Sequence, residues 1–270
     1  MCTVSAEEMG DLLNVDALRV TYGGVTAVDD VDLAVPEGKV VGLIGPNGAG
    51  KTSIIDALTG YHAPTAGTVT FEGQDVTSLR PHLRARRGLV RTFQSVELFD
   101  DLTVEENLLV ASQRMGVLKA LRDLLLPVGS HPRDDVDWAL GLCGLTDVAD
   151  RMPTELSHGR RKLVGVARAL AQRPRLVLMD EPAAGLDTDE SAELGDHLRA
   201  LPEAGVTVLL VDHDMGLVLG VSDYVYVLEF GKVIAHGKPD DVRSDPAVIA
   251  AYLGSGNVKQ IQEEIREEST

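Results

Sequence analysis

The stretch VVGLIGPNGAGKT, residues 40–52, joins an apolar run to a glycine-rich turn. The turn fits the pattern G-x-x-x-x-G-K-[ST], and the run before it is typical of a buried strand. The segment that follows, TSIIDALTG, has the residues of a helix. The stretch therefore predicts a strand, a phosphate-binding loop and a helix. A glycine turn without a ligand is the alternative interpretation.

Five residues of the turn carry the predicted chemistry. The glycines Gly45, Gly48 and Gly50 allow backbone N–H groups to surround the phosphates of a nucleotide. Lys51 reaches the β- and γ-phosphates, and Thr52 offers its hydroxyl to Mg²⁺. This turn therefore predicts that the chain binds a nucleotide together with Mg²⁺.

A second apolar run, LVLMDEP at 176–182, ends in two carboxylates. Asp180 is the first residue past the apolar run, where its carboxylate can hold Mg²⁺ through water. Glu181 follows it and is predicted to orient and polarise an attacking water molecule. Acids that cap a helix or a turn are the alternative for this pair. Beside a phosphate loop, the pair predicts hydrolysis of the nucleotide.

Three further side chains are candidates because of where they stand. His213 ends the run VTVLLVDH, and the carboxyl ends of neighbouring parallel strands converge on one crevice, so His213 could reach the γ-phosphate. Gln94, in VRTFQ, could contact Mg²⁺ or the attacking water. Tyr22 could stack on adenine. The alternatives are a histidine without a ligand, a loop glutamine and a tyrosine that only packs.

Composition excludes several classes of protein. The chain has 270 residues, 44% of them apolar, and a formal net charge of -17, which argues against a nucleic-acid-binding protein. Its two cysteines, Cys2 and Cys143, are too few and too far apart for a disulfide framework or a metal site. Neither an apolar leader nor an 18-residue apolar stretch is present, so we expect a chain that is not exported and does not cross a membrane by itself.

The remaining patterns outline an α/β organisation. Two β-rich patterns lie within 15–42, TAGTVTFEGQDV has hairpin character, and strands alternate with helices from about 175, which predicts a parallel sheet. Between about 95 and 155 the pattern is helical, and Thr103 and Glu106 form a capping-box pattern. This helical block has the position of an insertion between two parts of one α/β unit.

The motifs occur in an order that resembles the ATP-binding cassette subunits of ABC transporters, over about residues 14–254. In that resemblance GPNGAGKT is the Walker A loop, Gln94 the Q-loop residue, LSHGR the signature, LVLMDEP the Walker B strand, AAGLD the D-loop and His213 the switch histidine. The resemblance implies an α/β P-loop NTPase core with an antiparallel β subdomain and an inserted α-helical subdomain, and it implies ATP and Mg²⁺ as ligands.

The resemblance also implies a set of site residues. The catalytic residues are Glu181, His213 and Gln94, and the metal contacts are Thr52, Gln94 and Asp180. The nucleotide contacts are Tyr22, Gly45, Pro46, Asn47, Gly48, Ala49, Gly50, Lys51, Thr52, Ser53, Ser157, Gly159 and Asp187. It further implies one cassette domain over 1–254, with an α/β core at about 14–94 and 156–254, a helical subdomain at about 95–155 and a charged tail at 255–270.

The signature helix offers a second anion site. A Ser-x-Gly entry to a helix leaves backbone N–H groups open to close approach, and here those residues are Ser157 and Gly159. In the family that the chain resembles, two cassettes dimerise head to tail, and the signature of one completes the ATP site of the other. The usual LSGGQ reads LSHGR here, with His158 and Arg160 as the differences. We expect function to be retained, with added charge from Arg160.

Within that family, RTFQSVELFDDLTVEENLLVA, the additional helical material around 112–136 and the ending AAYLG resemble the longer ATPase of branched-chain amino-acid importers. Importers of urea or short amides and the lipopolysaccharide-export ATPase are similar alternatives, and a cassette that serves as a scaffold without transport is a further one. The expected partners are transmembrane permease subunits, a second ATPase subunit, identical or different, and indirectly a substrate-binding protein. The expected location is the cytoplasmic face of the cell membrane.

Overall fold

A computed structural model describes residues 10–92, 97–112 and 132–253 of the chain. Gln94, most of the helical material around 112–136 and the tail at 255–270 lie outside the described residues. Among the helices that are described, none is both long enough and apolar enough to cross a membrane.

Strands and helices alternate along most of the described chain. The strands are β1 (Asp11–Tyr22), β2 (Val25–Pro36), β3 (Val40–Ile44), β4 (Ala66–Phe71), β5 (Gln74–Asp75), β6 (Leu89–Arg91), β7 (Leu176–Asp180), β8 (Thr207–Val211), β9 (Tyr224–Glu229) and β10 (Lys232–Gly237). The helices are α1 (Lys51–Thr59), α2 (Pro81–Arg86), α3 (Val104–Ser112), α4 (Pro132–Leu142), α5 (His158–Leu170), α6 (Thr188–Ala200), α7 (Met215–Val221), α8 (Pro239–Arg243) and α9 (Pro246–Leu253).

The strands form two sheets. A six-stranded sheet has the order β10-β9-β3-β8-β7-β6, in which only β10 is antiparallel to its neighbour. A four-stranded antiparallel sheet has the order β2-β1-β4-β5. The parallel sheet and the hairpin that the sequence predicts are confirmed, and β1 begins at Asp11, ahead of the predicted boundary at residue 14.

Alternate side chains of the central strands enter two separate cores, because successive residues of a strand point to opposite faces. In β7, Leu176 and Leu178 belong to the core shared with α1 and the antiparallel sheet. Val177 and Met179 belong to the other core, which most of the remaining helices cover. The long apolar runs of the sequence are therefore strands that are buried on both faces.

The helices α3 and α4 pack against each other and against α5, so the inserted segment meets the core through the signature helix. Its buried side chains join the same apolar cluster as the sheet. The capping box at the start of α3 is confirmed: the Thr103 N–H donates to Glu106 Oε2 at 2.8 Å, and the Glu106 N–H donates to Thr103 Oγ1 at 3.2 Å.

Candidate nucleotide-binding site

The predicted phosphate loop is the turn between β3 and α1. Gly50 has φ 107°, and a Cβ there would lie 2.4 Å from the carbonyl oxygen of Ala27. A Cβ on Gly45 would lie 2.2 Å from the carbonyl oxygen of Leu228. Both positions therefore require glycine. The Ile54 N–H donates to the Gly50 carbonyl at 3.0 Å and makes the first hydrogen bond of the helix. The N–H groups before Ile54 have no partner within α1, so an anion at this terminus can accept hydrogen bonds from them.

The other residues of the loop differ in their access to solvent. Asn47 and Gly48 are exposed at its tip, whereas Ala49 is buried beneath it. Pro46 accepts a hydrogen bond from the Ala49 N–H at 3.1 Å, which closes the turn. In the first turn of α1, Thr52 is exposed and Ser53 is half-buried. The Thr52 hydroxyl is therefore available to a ligand above the loop.

Lys51 lies folded onto its own loop. Its side chain is buried, and Nζ donates to the carbonyl oxygens of Gly45 at 2.6 Å and of Pro46 at 3.2 Å. Burial lowers the pKa of Lys51, and the charges of Glu181 and Asp180 oppose that effect. The structure thus brings the lysine of the phosphate loop into the field of the acidic pair that the sequence singled out.

Asp180, at the end of β7, is buried and forms an ion pair. Its Oδ2 accepts a hydrogen bond from Arg91 Nη2 at 2.7 Å. The same guanidinium donates through Nη1 to Asp56 Oδ1 at 2.6 Å. Arg91 therefore joins the end of β6 to α1 and to β7.

Glu181 and His213 lie beside each other at the carboxyl edge of the sheet. His213 Nδ1 is 3.8 Å from Glu181 Oε2 and 3.3 Å from Asp212 Oδ1. Glu181 has φ 49°, and its N–H donates to the Val211 carbonyl at 2.7 Å. A non-glycine residue in this left-handed conformation is uncommon and costs energy, so the surrounding contacts hold this carboxylate in an imposed position.

Asp212 is a fully buried carboxylate whose oxygens accept backbone hydrogen bonds from two sequence motifs. Its Oδ2 accepts from the Ala183 N–H at 3.1 Å, where the AAGLD segment begins. Its Oδ1 accepts from the N–H groups of His213 at 2.7 Å and Asp214 at 3.1 Å. Asp212 therefore fixes the segment after Glu181 against the segment that carries His213.

The signature helix α5 begins at Ser157 as its N-cap, whose Oγ accepts from the Arg160 N–H at 3.3 Å. The Gly159 N–H donates instead to Glu190 Oε1, at 2.9 Å. Arg160 Nη1 pairs with Asp147 Oδ2 at 3.0 Å, so part of its added charge is neutralised within the chain. His158 lies against Gly185, where a Cβ would be 3.3 Å from its Nε2.

Asp187 and Tyr22 lie at other edges of the site. Asp187 is the N-cap of α6, where Oδ1 accepts from the Glu190 N–H at 2.8 Å. Tyr22 is partly exposed, and its ring packs on that of His62 with 4.4 Å between centroids. Tyr252, in α9, is buried, and burial raises the pKa of its hydroxyl.

The structure brings the phosphate loop, the acidic pair and His213 together at one edge of the sheet. Gln94 lies outside the described residues, so its predicted role stays a prediction. Sequence reasoning missed Arg91, Asp212 and Glu190. Each is a charged residue within three positions of a motif residue, and Asp212 also ends an apolar run.

A family model described as ABC transporter matches residues 28–184, which is more than half of the chain. The chain belongs to the ABC transporter family. It is therefore an ATP-binding cassette, an ATPase whose activity is coupled to transport. A second family model, described as branched-chain amino acid ATP-binding cassette transporter, matches residues 232–257 of the cassette.

Known proteins resemble the cassette over nearly its whole length. The high-affinity branched-chain amino acid transport ATP-binding protein BraF of Pseudomonas aeruginosa is 41% identical over 249 residues, which cover 90% of this chain and 98% of BraF. The ADP conformation of MJ1267, an ATP-binding cassette of an ABC transporter, superposes with a TM-score of 0.80 at 32% identity and covers 91% of this chain and 99% of MJ1267.

A dimeric structure of the cassette MJ0796, in a post-hydrolysis state bound to ADP and Pi, has a TM-score of 0.68 at 25% identity and covers 84% of this chain and 98% of MJ0796. The predicted fold class is confirmed by these similarities. Cassettes of this family bind ATP or ADP and work as dimers in transporters that also have membrane components.

Proposed function

We propose that this cassette is the ATP-hydrolysing subunit of an importer for branched-chain amino acids. The observation that carries the proposal is the match of residues 232–257 to the family model of branched-chain amino acid cassettes, because that segment is matched in addition to the general cassette region. The name of BraF, which is similar over 90% of this chain, supports the same substrate class.

The proposed chemistry assigns a role to each part of the site. The N–H groups of the phosphate loop and Lys51 bind the phosphates, and Lys51 exchanges the carbonyls of Gly45 and Pro46 for them. Glu181 accepts a proton from the attacking water and polarises it, and His213 at its side contacts the γ-phosphate. Tyr22 presents a partly exposed ring to adenine.

The donor set fits Mg²⁺. The Thr52 hydroxyl and the Asp180 carboxylate are hard oxygen donors of the kind that Mg²⁺ prefers. Within the described ranges, no group of three or more His, Cys, Asp or Glu residues could hold a metal alone. Such a sparse site suits Mg²⁺, which keeps several waters and binds phosphate oxygens beside one or two carboxylates. When bound, it neutralises charge on the β- and γ-phosphates.

We propose a head-to-tail dimer in which Ser157 and Gly159 contact ATP held by the other subunit. The dimeric cassette structure supports this arrangement as the general form of the family. Two N–H groups in the first turn of α5 are engaged within the chain: that of Gly159 donates to Glu190, and that of Arg160 donates to the Ser157 hydroxyl. A phosphate from the partner that binds either of these two N–H groups would therefore replace an existing hydrogen bond.

A groove of about 650 Å³ beside α5 is the proposed docking site for a permease subunit. Its lining mixes apolar and charged side chains, among them Phe99, Lys162 and Arg168. A groove of this character accepts an amphipathic segment of a partner. Docking there would hold the cassette at the cytoplasmic face of the membrane, with the substrate-binding protein on the other side.

The test is uptake in cells that depend on this cassette, or in vesicles reconstituted with its neighbouring permease and binding-protein gene products. We expect ATP-dependent uptake of radiolabelled leucine, isoleucine or valine. It should be lost in Lys51→Ala and retained in Lys39→Ala, whose side chain lies at the opposite end of β3 in an exposed ion pair. Uptake of urea or short amides alone, lipopolysaccharide export, or an absence of any transported solute would contradict the proposal.

A further inference from the structure

Arg91 forms a buried link between two segments of the nucleotide site. Its guanidinium donates to Asp180 at 2.7 Å and to Asp56 at 2.6 Å, one carboxylate for each terminal nitrogen. The side chains of Arg91 and Asp180 are 11% and 8% exposed. Ion pairs with this little solvent are screened much less than surface pairs, so the pairing strongly constrains the direction of the Asp180 carboxylate.

The two carboxylates that Arg91 contacts belong to different elements of the fold. Asp56 belongs to α1, the helix that begins with Lys51, and Asp180 ends β7. Arg91 itself ends β6, and its backbone is paired with Leu178 in the register of the sheet. The guanidinium therefore couples the orientation of Asp180 to the position of the helix that carries the phosphate loop.

One oxygen of Asp180 is committed to this contact. Because Arg91 holds Oδ2, it restricts the orientations that the Asp180 carboxylate can adopt before any ligand binds. A planar guanidinium with two donors can hold two carboxylates in fixed directions, which a lysine ammonium cannot do. Removing a group that orients a metal-binding carboxylate typically lowers metal affinity about 10–100-fold.

We propose that Arg91 is a positioning residue that orients Asp180 for the metal ion of the nucleotide complex. The inference rests on the proposed role of Asp180 toward Mg²⁺. Arg91 acts through Asp180 and Asp56 and does not contact the nucleotide. Loss of its forked contact lowers metal affinity while the phosphate loop still binds ATP.

The experiment measures metal binding without turnover. The purified full-length chain is loaded with a non-hydrolysable ATP analogue, and Mn²⁺, as a probe for the Mg²⁺ position, is titrated by electron paramagnetic resonance. In parallel, a fluorescent ATP analogue is titrated in EDTA. In Arg91→Lys we expect the Kd for Mn²⁺ to rise about tenfold, with metal-free nucleotide binding unchanged.

Arg175→Lys is the matched control. Arg175 also joins two carboxylates, Glu37 at 2.6 Å and Glu72 at 3.2 Å, but it is half-exposed and stands before the other end of β7. Its replacement should leave both titrations at wild-type values. Asp56→Asn is the second variant, because it removes the charge of the other anchor and preserves shape. We expect the same direction of change as in Arg91→Lys, but a smaller one.

The outcomes separate the inference from the proposed function. Wild-type Mn²⁺ affinity in both Arg91→Lys and Asp56→Asn would overturn the inference, and so would an equal loss of metal-free nucleotide binding in Arg91→Lys. If Arg91→Lys does not fold, the Mn²⁺ affinity of Asp56→Asn alone tests the inference. If the wild-type chain binds no ATP analogue in EDTA or in Mn²⁺, the proposed function fails instead.

Discussion

The backbone N–H of Gly159 donates a 2.9 Å hydrogen bond to the carboxylate of Glu190. Glu190 stands three residues after Asp187, which caps α6, so one contact ties the start of the signature helix to the start of the helix after the D-loop. A Cβ at position 159 would lie 2.8 Å from the carboxyl carbon of Glu190. A side chain at position 159 would therefore displace the Glu190 carboxylate and break this hydrogen bond.

The first prediction concerns the stability that this contact provides. Glu190→Ala removes a negatively charged acceptor from the N-terminus of α5 and should lower the free energy of unfolding by about 0.5–2 kcal/mol. Glu190→Gln keeps an acceptor oxygen and should lose less. Urea denaturation measures both values. The control is Glu193→Ala, which changes an exposed residue of α6, the helix that also carries Glu190. Equal stability of Glu190→Ala and the control would contradict the prediction.

The second prediction concerns Glu181, the carboxylate that we propose polarises the attacking water. Glu181→Gln keeps the shape of the side chain but loses the charge that polarises water, so ATP hydrolysis should fall by about 10²–10⁴-fold while ATP still binds. Steady-state ATPase assays and nucleotide titration measure the two effects. With MgATP the variant should accumulate as a closed dimer in gel filtration. Glu203→Gln, an exposed position, should hydrolyse ATP normally. An undiminished rate of ATP hydrolysis in Glu181→Gln would show that a different residue polarises the attacking water.

The third prediction tests whether Ser157 acts on ATP held by another subunit. Lys51→Ala and Ser157→Arg should each be inactive alone, if the wild-type chain hydrolyses ATP as a homodimer. In a mixed dimer both lesions fall at one site, and the other site is intact, so mixing should restore part of the ATPase activity. A mixture that stays inactive would favour action within one subunit.

If the cassette works only beside a different ATPase, the third experiment takes another form. Ser157→Arg should then impair hydrolysis at the partner's phosphate loop, whereas nucleotide binding at Lys51 stays normal. Photolabelling with an ATP analogue distinguishes the two subunits by mass. A defect confined to this chain's own site would count against the trans arrangement.

The fourth prediction concerns Arg84, whose buried guanidinium donates to four carbonyl oxygens. Two of these belong to the last turn of α1, and Nη1 contacts them at 2.7 and 2.6 Å; the other two belong to Thr77 and Leu79. Arg84→Met leaves these carbonyls without their donor, so the free energy of unfolding should fall by about 3–5 kcal/mol. Arg86 is exposed on α2, the helix that also carries Arg84. Arg86→Met should therefore change the free energy of unfolding little in the same denaturation experiment.

Local patterns and long-range contacts differed in how far the sequence could predict them. The capping box of Thr103 and Glu106 depends on residues three positions apart, and the apolar runs depend on adjacent residues, so both are visible in the sequence. The order of the sequence motifs was sufficient to predict the fold class. The pairing of Arg91 with Asp180 spans 89 positions and depends on the register of β6 with β7, which composition and spacing do not encode.

The contacts of Asp212, within the candidate site, are also not visible in the sequence. Its place at the end of an apolar run suggested nothing beyond a strand terminus, whereas the structure gives it three backbone donors from two motifs. A buried carboxylate that satisfies backbone N–H groups is recognised only when the segments around it are in position. Sequence reasoning therefore found the motif residues more readily than the residues that hold the motifs in place.

The strand before the phosphate loop, β3, has its neighbours β8 and β9 in the last quarter of the chain. During synthesis, β3 leaves the ribosome long before either strand exists, and at about 5–20 residues per second the delay is on the order of ten seconds or more. Through that interval a fully apolar strand has no partner on either edge, which exposes it to aggregation and to chaperones. The nascent cassette therefore cannot complete its nucleotide site until it is nearly full length.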